Sequence, residues 1–331
     1  MKIAINGLGR IGRCVLRAFH ERDYSKKDLE IVAVNSRSSI SQHAHLLKYD
    51  SVHSHFTKDV TYDDCNLQID GQNIRFYNES QPENIPWHEK EVDIVLECSG
   101  AFNQKEKAIK HNAEKVLVSA PVADADNTII YGVNEKSLRS SDKVISVGSC
   151  TTNCLAPLVS VLHEKIGIKH GFMTTVHAYT NDQNIVDNSH KKDWRRARAC
   201  GISMVPTSTG AAQMIGKIIP ELHGKLDGTA VRVPVANVSM VDLKFNACRD
   251  TIVDEINSVI EESAAGPLNG VIDYCQEPLV SVDFTHNSNS TIFDGLETKV
   301  VDKSFVRVLS WYDNEWGFAN RMLDVACLLK R

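Results

Sequence analysis

Lys2-Ile3-Ala4-Ile5-Asn6 is a short apolar run of strand character that passes directly into Gly7-Leu8-Gly9-Arg10-Ile11-Gly12, and residues 13–22 then carry Val15, Leu16 and Phe19 at helical spacing. Strand, G-x-G-x-x-G and helix in that order leave few folds open. The first glycine permits a tight turn, the second lets a ligand approach the backbone, and the third lets helix and strand pack closely, with the helix start offering N–H groups to a pyrophosphate. A second strand-like run at residues 30–34 sets the motif in a βαβ context, which turns a plain glycine-rich turn into a dinucleotide-binding expectation. The residues expected there are Gly7, Gly9, Arg10, Ile11 and Gly12.

Further strand-like segments lie at residues 59–62, 66–69 and 73–77, with Asp70-Gly71 as a hairpin turn. Residues 92–98 read as a buried parallel strand, 103–111 as a helix, and 115–118 and 143–148 as strands. This alternation predicts an α/β domain, a Rossmann-type doubly wound parallel sheet. Ser99, Gly100, Phe102 and Ser119, at the carboxyl ends of strands, are expected to line its crevice. Where an Asp or Glu ordinarily holds the adenosine ribose hydroxyls, the chain reads Asn35-Ser36-Arg37-Ser38-Ser39. Either Ser36 and Arg37 accommodate a 2′-phosphate, which adds NADP to NAD as a cofactor, or Arg37 points to solvent.

The second landmark is Ser149-Cys150-Thr151-Thr152-Asn153-Cys154, followed by apolar periodicity over residues 155–166. Cys150 then falls at a helix start, where unpaired N–H groups and the macrodipole bias a thiol towards thiolate and Ser149 can serve as cap. The next strand-like run, residues 171–176, delivers His177 at its polar end, and a Cys and a His on adjacent elements make an activated nucleophile. The plain alternative is an inert buried thiol and a hydrogen-bonded strand-end imidazole. The hydroxyls around Cys150 are poor core material but good anion ligands, which favours the chemical reading. Cys154, one helical turn on, reads as structural.

Residues 179–201 lose periodicity and are polar and basic, with His190, Lys191, Lys192, Arg195, Arg196 and Arg198; a loop of that length is usually functional. A helix begins near Thr209-Gly210, the runs 229–235 (with Arg232) and 238–247 suggest an antiparallel sheet, and residues 251–263 form an amphipathic helix to cover it. A strand at 306–311 and a closing helix follow. The expected domains are 1–149, dinucleotide-binding and completed by a C-terminal helix 315–331, and 150–314, a catalytic α+β domain with a mostly antiparallel sheet.

At 331 residues there is chain enough for two cores. A net charge of −5 provides no field for nucleic acid or an anionic membrane. Nine cysteines, an odd number scattered from Cys14 to Cys327 without zinc-type spacing, suit a reducing cytosol and imply no metal. A strand beginning within two residues leaves no room for a signal peptide, and no apolar run approaches the roughly 20 residues of a membrane span.

The runs INGLGRIGR, SCTTNCLAP, TTVHAYT, STGAA, RVPVANVS and WYDNEWGF, in that order, resemble phosphorylating glyceraldehyde-3-phosphate dehydrogenases across the whole chain. The resemblance implies oxidation of glyceraldehyde 3-phosphate to 1,3-bisphosphoglycerate in glycolysis or gluconeogenesis, with Cys150 as nucleophile and His177 as base. It further implies substrate and inorganic phosphate sites from Ser149, Thr151, Thr180, Asp182, Arg196, Thr209, Gly210 and Arg232, Asn314 on the nicotinamide carboxamide, and a cytoplasmic homotetramer whose basic loop packs against a neighbour. The chain departs from the family at Val147-Gly148, at Phe318, where many members carry Tyr, at Ser36 and at Asn188-Ser189. Ser36, Arg37 and Ser189 lean towards the NADP-using members, so dual use of NAD and NADP is expected. The rival readings are the sister erythrose-4-phosphate dehydrogenases, which the run 278–284 also resembles, a Cys/His hydrolase without dinucleotide, and a non-catalytic binding protein.

Overall fold

A computed structural model describes residues 1–191 and 193–330; Lys192 of the basic segment and Arg331 of the expected C-terminal helix lie outside the described residues. By its internal contacts the chain divides into two compact units, Met1–Ser149 with the chain from Phe318 onward, and Cys150–Gly317.

The first unit contains β1 (Lys2–Asn6), β2 (Glu30–Asn35), β3 (Val60–Tyr62), β4 (Asn66–Ile69), β5 (Gln72–Tyr77), β6 (Ile94–Glu97), β7 (Lys115–Val118), β8 (Asn127–Thr128) and β9 (Val144–Ser146). They lie in the order β8-β9-β7-β6-β1-β2-β5-β4-β3. The pairs from β8 to β5 are parallel, and β4 and β3 extend the edge antiparallel through the Asp70-Gly71 hairpin. Central strands are buried as continuous apolar runs, such as Ile3-Ala4-Ile5 and Ile94-Val95-Leu96, because parallel sheets are covered on both faces. Strand order reverses on either side of β1, which opens a crevice at the carboxyl ends of the strands. Helix α1 (Arg10–Glu21) buries Val15, Leu16 and Phe19. Helix α2 (Ile40–Lys48) is capped by Ser39, which accepts from the Gln42 N–H at 3.3 Å. The expected helix at 103–111 is one α turn, α3 (Lys105–Ala108), continued as a 3-10 turn.

The second unit contains β10 (Ile168–Ala178), β11 (Val205–Ser208), β12 (Leu226–Val233), β13 (Ser239–Ala247), β14 (Ile272–Cys275), β15 (Thr291–Asp294), β16 (Lys299–Val301) and β17 (Phe305–Tyr312). Their order is β11-β12-β10-β13-β17-β15-β14, with β16 also on β17. Most ladders are antiparallel, yet β10 with β12 and β14 with β15 run parallel. The segments 229–235 and 238–247 are thus not neighbours: β10 lies between β12 and β13. A crossover through the long 179–204 segment and α5 (Ala211–Ile218) returns the chain in its original direction, which a strand's alternating pattern does not reveal. On β13, Ser239, Val241, Leu243, Phe245 and Ala247 are buried and the residues between them are not. Helix α4 (Cys150–Lys165) packs against β13, β17 and α5, and α6 (Val253–Ala265) packs beside it. Helix α7 (Trp316–Leu328) belongs to the first unit from Phe318 on, where Asp324 accepts from the Tyr24 hydroxyl at 2.9 Å.

Candidate active site

Register sets Asn35, Asn6 and Glu97 side by side at the ends of β2, β1 and β6. Asn35 Nδ2 donates to Asn6 Oδ1 at 2.7 Å, and Asn6 Nδ2 to Glu97 Oε2 at 2.6 Å. Glu97 also accepts from the Ser99 N–H at 2.8 Å, the Ser99 hydroxyl at 2.5 Å and His111 Nε2 at 2.9 Å. Trp87 Nε1 donates to His111 Nδ1 at 3.3 Å, which fixes the tautomer that gives its Nε2 proton to Glu97. Four donors therefore satisfy a carboxylate with no solvent exposure. Sequence reasoning missed this row, although the charged Glu97 ending an apolar strand was its visible signal.

The row borders a cleft of about 470 Å³ lined by Gly7, Gly9, Ser36, Arg37, Ser99 and Phe102 among others. Gly7 has φ +95°, and a Cβ there would stand 2.5 Å from the Ser99 backbone. A Cβ on Gly12 would lie 2.0 Å from the Gly7 carbonyl oxygen, so only glycine lets α1 sit this close. Gly9 differs: nothing lies within 4 Å of its missing Cβ, and it borders the cleft. A closed turn, an open glycine and a packed glycine are the cradle a pyrophosphate requires, so the residues fit a dinucleotide. Arg10, Ile11, Gly12, Gly100 and Ser119 are not among the lining residues. Arg10 instead grips Asp50 through two bonds of 2.5 and 3.0 Å, which hold that carboxyl below its ordinary range against the opposing effect of burial.

In the second unit, Cys150 is the first residue of α4 and partly exposed, and His177 on β10 is buried. Cys150 Sγ lies 3.4 Å from His177 Nε2. His177 Nδ1 is 2.7 Å from the Ala178 carbonyl, which can only accept, so Nδ1 carries the proton and Nε2 presents its lone pair to the sulfur. Beneath them the Tyr312 hydroxyl bridges Thr151 Oγ1 and Thr175 Oγ1, each at 2.9 Å, and its ring meets the imidazole edge to face at 6.0 Å. Tyr312 lies in the run WYDNEWGF, yet nothing in that run places its hydroxyl beneath Cys150, since it comes from β17.

Burial pushes the Cys150 thiol up from its ordinary value, opposed by the Arg232 guanidinium and hydrogen bonds from Thr151. Burial, then Arg232, pushes His177 down to about 3. This corrects the expectation of a thiol lowered by its helix start. The terminus contributes a partial charge, whereas desolvation acts on the whole charge of the thiolate. Burial thus disfavours the charged form of both groups, while Arg232 favours the thiolate and disfavours the imidazolium. Cys154 is buried against Thr291 Oγ1 at 3.4 Å and pushed up to about 12.

Arg232 faces His177 in the β10–β12 register, and its Nη1 donates to the Ala178 carbonyl at 3.0 Å and to Thr180 Oγ1 at 3.1 Å. Arg196 donates from Nε to Thr207 Oγ1 at 2.9 Å and pairs through Nη1 with Asp182. Thr209 accepts from the Ala211 N–H at 3.3 Å, and Gly210 is the N-cap of α5 with open space beside it. Ser149 directly precedes Cys150 and is half-buried. The Asn314 Oδ1 accepts from the Ser239 hydroxyl at 2.8 Å, and that hydroxyl accepts from the Ala178 N–H at 3.0 Å. Ser239 thus couples Asn314 to the strand end that carries His177, a connection the sequence did not suggest. Ser189 is exposed, bonded to Asn188 and Asn184, and not among the residues lining the cleft.

A glycine-turn cleft on a doubly wound sheet and a thiol–imidazole pair on a second, mixed sheet define a dinucleotide-dependent oxidoreductase. Residues 1–105 match the family model for the glyceraldehyde 3-phosphate dehydrogenase NAD binding domain, and residues 149–314 that for the C-terminal domain of the same enzymes. The chain is 53% identical over 333 residues to the plasmid glyceraldehyde-3-phosphate dehydrogenase of Cupriavidus necator, covering 99% of this chain and 98% of the relative. It is 51% identical over 332 residues to that of Pseudomonas aeruginosa, covering 99% and 98%. With glyceraldehyde-3-phosphate dehydrogenase 2 of Bacillus subtilis it shares 47% over 329 residues, covering 98% and 95%. The chain belongs to the glyceraldehyde-3-phosphate dehydrogenase family.

Proposed function

We propose that the chain oxidises glyceraldehyde 3-phosphate to 1,3-bisphosphoglycerate, with inorganic phosphate as co-substrate and NAD or NADP reduced, in glycolysis or gluconeogenesis. The observation that carries this reading is the unprotonated His177 Nε2 at 3.4 Å from Cys150 Sγ. As Sγ bonds to the aldehyde carbon, Nε2 takes the thiol proton, and the imidazolium gives it to the new alkoxide, leaving a hemithioacetal. Bound NAD or NADP supplies the hydride acceptor. Nε2 removes the hydroxyl proton as hydride departs from the same carbon, and a thioester remains on Cys150. Inorganic phosphate adds to its carbonyl and expels Sγ as thiolate, which the His177 imidazolium reprotonates; the product is an acyl phosphate.

Thr180 and Arg232, already bonded beside His177, and Ser149, Thr151, Asp182, Arg196, Thr209 and Gly210 hold the two phosphates in this reading. Its support is chemical: Thr hydroxyls and Arg guanidinium groups do not titrate near neutrality. Asn314, steadied by Ser239, holds the nicotinamide carboxamide. The cleft residues Gly7, Gly9, Ser36, Arg37, Ser99 and Phe102 hold the remainder of the dinucleotide, with Arg10, Ile11 and Gly12 forming the helix start, and residues 1–149 with the C-terminal helix serve as its domain. Ser36 and Arg37 in place of a ribose-binding carboxylate support use of NADP as well as NAD. Ile185, Val186, Trp194, Ile202 and Met204, all exposed on one polar segment, support a homotetramer in which this segment meets a neighbour. Nine free cysteines support the cytoplasm as its compartment. Among the described residues no helix is long and apolar enough to cross a membrane.

Reduction of NAD and NADP is measured with glyceraldehyde 3-phosphate, with and without inorganic phosphate, on the wild type and C150S. Reduction that ignores phosphate or survives in C150S overturns the mechanism. A kcat/KM preference for NAD above about a hundredfold overturns dual cofactor use.

A further inference from the structure

His43, on α2, has no task in the dinucleotide cradle described above, yet it lines the cleft with Ser36, Arg37, Ser38 and Leu46 and is only 6% exposed. Both of its ring nitrogens lack a hydrogen-bond partner among the described residues. The ring packs against Phe76 with centroids 6.0 Å apart. Buried polar atoms are almost always paired, and one imidazole that leaves both a donor and an acceptor unmet bears the desolvation cost of each. Its backbone is fixed: the His43 N–H donates to the Ser39 carbonyl at 3.2 Å in the capped first turn of α2. The ring thus sits on a fixed helical turn at the wall of the cleft, with its two nitrogens buried and unpaired.

We infer that His43 contacts the 2′ substituent of the adenosine ribose, donating a hydrogen bond to a 2′-phosphate and taking up a proton as that phosphate binds. This rests on the reading that the chain binds NADP as well as NAD. The placement follows from β2, whose carboxyl end is where a dinucleotide fold recognises the ribose; here that position is Ser36, and His43 lines the same cleft. Burial, with Arg13 adding to it, pushes the free imidazole down from 6.5 to about 4, so it is neutral in the empty cleft near pH 7. The charged side chains lining the cleft are Arg13 on α1, Arg37 after β2 and Glu79 after β5. A phosphate carrying about two negative charges reverses the balance and favours the imidazolium, in which both nitrogens donate.

Calorimetric titration of the full-length protein with NADP and NAD, in two buffers of different ionisation enthalpy, counts the protons taken up per site. Wild type is expected to take up more protons with NADP than H43Q does, the difference reporting the coupled His43–phosphate pair. H43L is expected to lose about tenfold in NADP affinity and to keep its NAD affinity within about threefold. NADP binding with equal affinity and equal proton uptake in wild type, H43L and H43Q overturns the role of His43 while leaving NADP use intact. Equal loss of both cofactors in both variants overturns it as well, and marks His43 as packing. Failure of wild type to bind NADP overturns this inference and dual cofactor use together.

Discussion

The Ala178 carbonyl decides what His177 can do: by holding Nδ1–H at 2.7 Å it leaves Nε2 as the nitrogen facing the Cys150 sulfur. The same carbonyl accepts from Arg232 at 3.0 Å, so one backbone atom orients the base and the nearest cation. H177N, with no lone pair in that position, is expected to lower kcat/KM by about 10² to 10⁴-fold. It should also slow iodoacetamide alkylation of Cys150 near pH 7. Unchanged alkylation would separate the imidazole from thiol activation.

Tyr312 joins two threonines that would otherwise lack a partner at its position. Y312F removes the hydroxyl that both Thr151 and Thr175 bond, with an expected loss of about 1–3 kcal/mol of stability, read from urea unfolding midpoints at constant m-value. A variant as stable as wild type would mean that Thr151 and Thr175 find other partners.

The three glycines of the first turn are expected to fail differently. G12A drives a Cβ to within 2.0 Å of the Gly7 oxygen, so it should lower both the thermal midpoint and NAD affinity. G9A meets no protein atom within 4 Å, so the fold should hold while NAD affinity falls. Full NAD affinity in G9A would show that the pyrophosphate does not pass there.

Burial of His20 against Phe19 and Phe56 pushes its pKa down from 6.5 to about 4. Between those values the unfolded imidazole binds a proton and the folded one does not. Stability is therefore fully present above pH 6.5 and is lost progressively as pH falls towards 4. His43 contributes a step of the same sign. H20Q should flatten that limb of the curve in urea titrations, and an unchanged slope would reassign the acid sensitivity to other groups.

The strand–turn–helix at the start and the parallel sheet were legible because steric rules act locally: a buried parallel strand must be an apolar run, and the turn must be glycine. Cys150 and His177 were legible as residue types at element ends. Their protonation was not, since it depends on how completely each group is desolvated by elements far away in sequence. Tyr312 and Ser239 were hidden for a related reason, as each sits at the end of a strand whose neighbours only topology determines. Period-two alternation reports which face is buried and is blind to direction, which is why the parallel pairing of β10 with β12 had to come from coordinates. His43 carries no mark in the sequence, since what singles it out is the burial of an unpaired ring.

The Asn35–Asn6–Glu97–His111–Trp87 row has a further effect on association. Its hydrogen bonds tie together the chain ends of β1, β2 and β6, so less torsional freedom is left to lose there when a dinucleotide binds. What remains to be ordered on encounter is chiefly the ligand's own flexible backbone, and capture needs no slow rearrangement of the floor it lands on.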